Sequence, residues 1–255
     1  GPETVHSGAG VAHYRGHGRA LCHQRPEIYE AAQKIVSELN ERHEEARKYQ
    51  SLLLRCSKLG KVSGGLYENG KPHPQFPTLS DEILGISYNY SPNGFFQINL
   101  PVYEMALLLI RKEVEGSSRV LDLYSGVGTI GLSVARSKEL TLGECDRSCY
   151  EEMKRNCENQ ENITPVLAKS EDVTSYIEPE MTVILDPPRA GCDKKLIEKL
   201  LEVKPKKIVY LSCNPATQAR DVAMLMDKYI IKGIKAFNFF PKTPHIENLV
   251  VLELK

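Results

Sequence analysis

Hydrophobic and polar positions in the second half of the chain follow a regular alternation. Short, mainly apolar runs read as strands: Val120–Tyr124, Leu140–Cys145, Pro165–Ala168, Thr182–Asp186, Lys207–Leu211, Ile234–Phe239 and Leu249–Leu254. Segments with helical apolar spacing separate most of them: Thr129–Ser137, Arg147–Asn159, Lys194–Glu202 and Thr217–Lys228. Strand–helix alternation predicts an α/β fold with a doubly wound, mainly parallel seven-stranded sheet. A further helix, from about Pro101 to Val114, leads into it. In such a sheet ligands bind beyond the carboxyl ends of the strands, so the chemistry belongs in the loops that follow them.

The first hundred residues are patterned differently. Ile28, Ala31, Ala32, Ile35, Val36 and Leu39 recur at helical spacing after Pro26, predicting an amphipathic helix over 27–49. Glu38–Arg42 and Glu44–Lys48 form i, i+4 pairs on its wet face. From 52 to 97, apolar runs alternate with Gly64-Gly65, Glu68-Asn69-Gly70 and Ser91-Pro92-Asn93-Gly94, which predicts hairpins. The organisation expected is a flexible arm over 1–26, a small α+β region over 27–100 and a catalytic domain over 101–255. Gly1-Pro2 resembles a protease-cleavage stub, so the natural start is expected to lie elsewhere.

Composition narrows the classes. The chain of 255 residues is 41% hydrophobic and 26% charged, which excludes wholesale disorder. Its 33 basic residues balance 33 acidic ones, so any nucleic-acid contact must come from local patches. No apolar run reaches the ~18 residues of a membrane span, and no signal-peptide stretch opens the chain. The seven cysteines contain no C-x-x-C and no zinc or iron–sulfur spacing, which suits reduced thiols inside a cell. His6, His13, His17 and His23 invite a metal reading, but no carboxylate or cysteine partner has ligand spacing. The alternative is an arm whose Arg15, Arg19 and Arg25 touch phosphates.

Five loops carry candidate chemistry. In V-L-D-L-Y-S-G-V-G-T-I-G (120–131), a strand ends and Gly126 and Gly128 let the backbone pass close to a ligand, ahead of a helix N-terminus near Thr129. A tight turn without a ligand has the same pattern. Glu144 stands eighteen positions after Gly126, placed to accept from ribose hydroxyls, and Asp146 competes for that role. Either could instead be a helix N-terminal charge. In V-I-L-D-P-P-R-A-G-C (183–192), Asp186 ends a strand and two prolines stiffen the loop. Cys213 follows the strand Lys207–Leu211 and precedes a helix with Arg220 in its first turn, a setting that lowers a thiol pKa. In the last loop, Glu247 precedes the terminal strand, beside His245 and between Pro241, Pro244 and the apolar run. It is either a surface charge or a general base sharing a site with Cys213.

Together these loops resemble the S-adenosylmethionine-dependent RNA uracil-C5 methyltransferases, the tRNA and rRNA 5-methyluridine family. The resemblance spans roughly 94–255 and rests on F-F-Q-I-N (95–99), D-L-Y-S-G-V-G-T (122–129), D-P-P-R-A-G (186–191), S-C-N-P-A-T-Q-A-R-D (212–221) and T-P-H-I-E (243–247). It implies S-adenosyl-L-methionine as cofactor, S-adenosyl-L-homocysteine as product, and structured RNA as partner, with no membrane and no metal cluster. It implies cofactor contacts from Gln97, Tyr124, Gly126, Thr129, Glu144 and Asp186, a nucleophile in Cys213 and a base in Glu247. Thr129 stands where the family often has asparagine, and Gly143 is displaced from the usual glycine position. The family's N-terminal barrel and four-cysteine cluster have no counterpart in this sequence, so the small region over 27–100 and the arm are expected to contact RNA. Localisation is expected in the cytoplasm, with an organelle left open.

The chemistry needs these residue types. Uracil C5 is a weak nucleophile until a thiolate adds at C6, and a carboxylate must later remove the C5 proton. The target base must leave its stack, and Phe95, Phe96 or Phe240 could line its pocket. Methylation at cytosine C5 and a non-catalytic RNA-binding module with a retained cofactor pocket are the alternatives.

Overall fold

A computed structural model of the chain describes residues 51–56, 62–68, 71–72, 79–91 and 95–255, with backbone alone before Leu79. The arm at 1–26 and the helix expected over 27–49 lie outside the described residues. The chain divides into two compact units, Gly1–Thr78 and Leu79–Lys255. In the first, β1 (Ser51–Cys56), β2 (Val62–Glu68) and β3 (Lys71–Pro72) form an antiparallel sheet whose first pair runs from Ser51 opposite Tyr67 to Cys56 opposite Val62.

The second unit opens with a hairpin, β4 (Leu79–Ile83) and β5 (Ile86–Tyr90). Its two-residue turn, Leu84-Gly85, has both residues at positive φ, matching the primed turn that suits strand twist. The Glu104 carboxylate accepts from the Leu84 N–H at 2.8 Å and pins the turn to α1 (Leu100–Val114).

The remaining elements are β6 (Arg119–Leu123), α2 (Thr129–Ala135), β7 (Glu139–Glu144), α3 (Arg147–Asn156), β8 (Ile163–Leu167), β9 (Thr182–Leu185), α4 (Lys194–Val203), β10 (Lys207–Ser212), α5 (Pro215–Leu225), β11 (Tyr229–Phe237) and β12 (Glu247–Leu254). The seven-stranded sheet has the order β11-β12-β10-β9-β6-β7-β8. Pairings are parallel from β8 through β10, and β12 runs antiparallel to both its neighbours. This is the mixed sheet that the strand–helix alternation predicts. Order reverses between β6 and β9, the switch point that opens a crevice at the strand ends.

Two apolar cores cover the sheet's faces. Val120, Ile184, Val209 and Leu249 face a cluster with Leu107 and Ile110 of α1 and Ile130 and Leu132 of α2. Leu121, Leu123, Val183, Leu185, Ile208 and Tyr210 face Leu196, Leu200, Val222 and Leu225 of α4 and α5. The central strands are apolar on both faces, so they appear in the sequence as continuous runs.

Between β8 and β9, where the sequence shows no helix pattern, a single 3-10 turn at Val173–Tyr176 makes the connection. Two boundaries differ from the sequence expectation for physical reasons. The α5 helix starts at Pro215 rather than Thr217, because Asn214 caps it by accepting from Ala216 N and proline suits the first helical position. Strand β11 begins at Tyr229 rather than Ile234: Gly233, which looks like a turn residue, sits at a register shift within the strand.

Buried Asp221 of α5 fixes two strand-end loops to each other. Its carboxylate accepts from Cys192 N and the Tyr210 hydroxyl, both at 2.8 Å, and from Arg220 Nε and Nη2 at 2.9 and 2.7 Å. Gly191 lies against this hub at φ +83°; a Cβ there would meet Arg220 Nη2 at 2.5 Å and Asp221 Oδ2 at 2.6 Å. Replacing Asp221 by Ala leaves two buried donors, Cys192 N and the Tyr210 hydroxyl, unmatched. It should lower unfolding free energy by about 2–4 kcal/mol in urea titration, and a loss under ~1 kcal/mol would show the hub to be dispensable.

Candidate active site

The β10–β12 ladder places the two residues expected to share a site. Its last pair is Ser212 opposite Asn248, so one step further along that antiparallel register sets Cys213 beside Glu247. Gln218 of α5 fastens this end, donating from Nε2 to Tyr210 O at 2.8 Å and Asn248 O at 3.0 Å while accepting from Asn248 Nδ2 at 2.7 Å. Asp186 leaves the sheet one residue beyond the Leu185–Tyr210 pair, next to the end of β6. Cys213, Glu247 and Asp186 therefore converge at neighbouring strand ends.

Burial sets the electrostatics here. Glu247 is 5% exposed, and desolvation pushes its carboxyl up to about 7 against the pull of the Arg189 charge. Asp186 is raised well above the ordinary range, by burial first and then by Glu247 and Asp122. Asp122, fully buried, is pushed to about 7 by desolvation; the Gly131 N–H opposes this and Glu144 adds to it. The Cys213 thiol is also raised, by burial and then by Glu247 and Asp186, with Arg189 opposing. This corrects the expectation that its surroundings lower it. Arg220, the cation expected to help, is bound to Asp221 and to Ala190 O at 2.9 Å. Arg189 is the cation that acts on Cys213.

The glycine loop lies beyond the end of β6. Gly126 N donates to Glu144 Oε2 at 2.8 Å, and Glu144 Oε1 accepts from Cys145 N and Asp146 N at 2.7 and 2.6 Å. Asp146 is instead the cap of α3, accepting from Cys149 N at 2.9 Å. Asp146 thus takes the helix-capping role, and Glu144 is tied to the glycine loop. Gly126 adopts φ +57°, and a Cβ there would meet nothing within 4 Å, so this backbone borders open space. Thr129 is buried as the first residue of α2. Tyr124, also at positive φ, turns its phenol toward Ser170, Asp193 and Cys192. Gln97 precedes α1 with its Oε1 buried and unpartnered, as is Asp122 Oδ1. Unpartnered buried acceptors suit a ligand that brings N–H or O–H donors and positive charge.

Of the aromatic candidates, Phe95 is 74% exposed, Phe96 stacks on Tyr90 at 4.1 Å, and Phe240 meets His245 edge-on at 6.4 Å. The sequence reading missed several residues that build the site. Tyr103 of α1 is buried facing Asp186, Asp122 and Glu247; its position four after Asn99 in F-F-Q-I-N was the available signal. Asn99 Nδ2 donates to Phe239 O at 3.0 Å, joining that motif to the last loop. Asn156, the last residue of α3, is another. Its Nδ2 donates to Asn89 O and Val127 O, each at 3.0 Å, while Oδ1 accepts from Asn89 N at 2.8 Å, tying β5 to the glycine loop. Among the described residues, no group of His, Cys, Asp and Glu could hold a metal ion, and no helix is long and apolar enough to cross a membrane.

Sheet order and loop set define the class: an α/β methyltransferase sheet with a nucleotide-type cofactor crevice at its switch point. Residues 147–255 match the model of the tRNA (Uracil-5-)-methyltransferase family, in agreement with the resemblance read from the motifs. The chain is 38% identical over 188 residues to an uncharacterized RNA methyltransferase of Listeria monocytogenes, covering 70% of this chain and 41% of that protein. It is 36% identical over 212 residues to another from Prochlorococcus marinus, covering 74% and 50%. The chain thus spans half or less of these relatives. It is similar to the crystal structure of Pyrococcus abyssi tRNA (uracil-54, C5)-methyltransferase in complex with S-adenosyl-L-homocysteine, with TM-score 0.66, 29% identity, and coverage of 87% of this chain and 67% of that one. The M. jannaschii tRNA m1G37 methyltransferase shares the fold at TM-score 0.61 and 15% identity, covering 90% and 70%.

Asn156→Ala should free β5 from the glycine loop and lower stability by about 1–3 kcal/mol, read by urea unfolding. A variant as stable as the parent would show that the hairpin is held by its apolar contacts alone.

Proposed function

We propose that the chain carries the catalytic unit of an S-adenosylmethionine-dependent RNA (uracil-5-)-methyltransferase acting on structured RNA, tRNA or rRNA. The observation that supports this best is the β10–β12 register, which sets a cysteine beside a buried carboxylate at the cofactor-type crevice. Gln97, Tyr124, Gly126, Thr129, Glu144 and Asp186 would hold the cofactor, and the unpartnered acceptors of Gln97 and Asp122 fit its ammonium and sulfonium charge. When bound, S-adenosylmethionine supplies an electrophilic methyl group.

The chain's own residues do the rest. The Cys213 thiolate adds to C6 of a flipped-out uridine, forming an S–C6 bond and pushing the C5–C6 π electrons toward C5 and the C4 oxygen. Once C5 carries its fourth substituent, the Glu247 carboxylate takes the C5 proton. The C–H electron pair restores C5=C6 and expels the thiolate. A carboxyl raised to about 7 by burial is a stronger base than an exposed glutamate and is about half ionised near neutral pH. Burial also excludes water that would compete for the adduct. Phe95, Phe96 and Phe240 are the aromatic side chains on which the flipped base would stack. RNA contacts outside this unit are assigned to the arm over 1–26 and the region before α1.

RNA containing 5-fluorouridine should form a covalent adduct on Cys213, because fluorine blocks the proton removal; an adduct mapped to another cysteine would overturn the assignment. Cys213→Ala should abolish methyl transfer while RNA binding persists. Glu247→Gln should accumulate RNA-linked protein, and normal turnover by it would exclude Glu247 as the base. Both the thiolate and the ionised Glu247 gain population as pH rises. Turnover should therefore climb through about pH 7, and a profile falling over that range would contradict the pairing.

A further inference from the structure

Arg189 touches three loops of the site. It belongs to the loop that follows Asp186. Its carbonyl accepts from Asn214 Nδ2 at 2.9 Å and Thr217 Oγ1 at 3.1 Å, so the loop is fastened to the residues immediately after Cys213. Its guanidinium Nη2 lies 3.1 Å from His245 Nδ1, two residues before Glu247. A guanidinium only donates, so His245 must accept through Nδ1 and carry its proton on Nε2 in this arrangement. The guanidinium is thus held from one side by its own backbone and from the other by the terminal loop.

The charges around Cys213 make this placement consequential. Glu247 faces it from the start of β12 and Asp186 from the end of β9, and both oppose a thiolate. Arg189 is the charge that opposes them. Arg220, the other arginine of these motifs, forms a close ion pair with Asp221 at 2.7 Å and contributes little net field. A sulfur facing two carboxylates needs a fixed cation to ionise at neutral pH.

We propose that Arg189 is a positioning residue for catalysis: tethered by His245 and anchored through its carbonyl to the Cys213 loop, it stabilises the Cys213 thiolate against the two neighbouring carboxylates. This rests on Cys213 as the nucleophile, but its test needs neither RNA nor cofactor. The pH dependence of Cys213 alkylation by iodoacetamide is followed by peptide mass mapping, with Cys145 and Cys149 as internal references, in the parent, Arg189→Gln and Arg189→Lys. The Gln variant should alkylate Cys213 about three- to tenfold more slowly near pH 8, with its profile moved to higher pH, and Lys should restore most of the rate. Because the Arg189 side chain is exposed, raising NaCl from about 0.05 to 0.5 M should slow the parent and leave the Gln variant unchanged. A merely structural role would not produce the salt response or the lysine rescue. Should the Gln variant fail to fold, His245→Ala keeps the charge and removes its tether, with about two- to threefold slowing expected. An unmoved Cys213 profile in the folded Gln variant, or in His245→Ala, would overturn the proposal. Those rates stand apart from 5-fluorouridine trapping: loss of the trap would sink the methyltransferase reading and leave the Arg189 effect intact, and the reverse holds.

Discussion

The site depends on one inversion in the sheet. Strand β12 runs antiparallel between β10 and β11, so its first residue lies at the edge where the parallel strands end. Were β12 parallel, Glu247 would open its strand at the opposite pole, roughly 20 Å away for a strand of this length. The antiparallel insertion is what lets the residue that begins one strand work with the residue that follows another. Register matters equally. A slip of one residue would turn Glu247 and every apolar side chain of β12 to the wrong face. Val250 and Leu252 in one core, Leu249 in the other and the Gln218 clamp on Asn248 make that slip costly.

This geometry gathers three carboxylates, Asp122, Asp186 and Glu247, in a place with little water. Burial is the largest cause of the raised pKa of each, and for Asp186 the charges of Glu247 and Asp122 add to it. A pocket of buried acceptors with protonatable carboxyls is poorly satisfied by itself. It becomes well satisfied when a cation with several N–H donors enters, which is the charge type the proposed cofactor brings. Tyr103 sits among the three acids from α1, so the helix that precedes the sheet also helps shape the pocket.

The sheet and most of its boundaries were legible because central parallel strands are apolar on both faces and helices between them repeat at a different period. The loops that carry the chemistry were legible because glycine, proline, cysteine and acid stand out at strand ends. What was not legible depends on distance in sequence. Asn156 clamps β5 to the glycine loop across 67 and 29 residues, and a lone asparagine near a helix end gives no sign of it. The Cys213 environment was misjudged for a related reason. The local cue, a helix N-terminus with Arg220 in its first turn, was only partly right: the helix starts at Pro215, which puts Arg220 past its first turn and against Asp221, while burial and the carboxylates of Glu247 and Asp186, arriving from other strands, raise the thiol.

The two arginines of these loops show how position divides labour between identical side chains. Arg220 is bound through two nitrogens to the fully buried Asp221. A cation paired that closely acts on distant groups as a dipole, whose field falls off faster than that of a single charge. Its contribution is structural, closing the hub that fixes Gly191 and Cys192. Arg189 is held by a neutral imidazole and by its own carbonyl, so its charge is placed without being cancelled. Of these two guanidiniums, the one whose partners carry no charge is the one left to oppose Glu247 and Asp186 at Cys213.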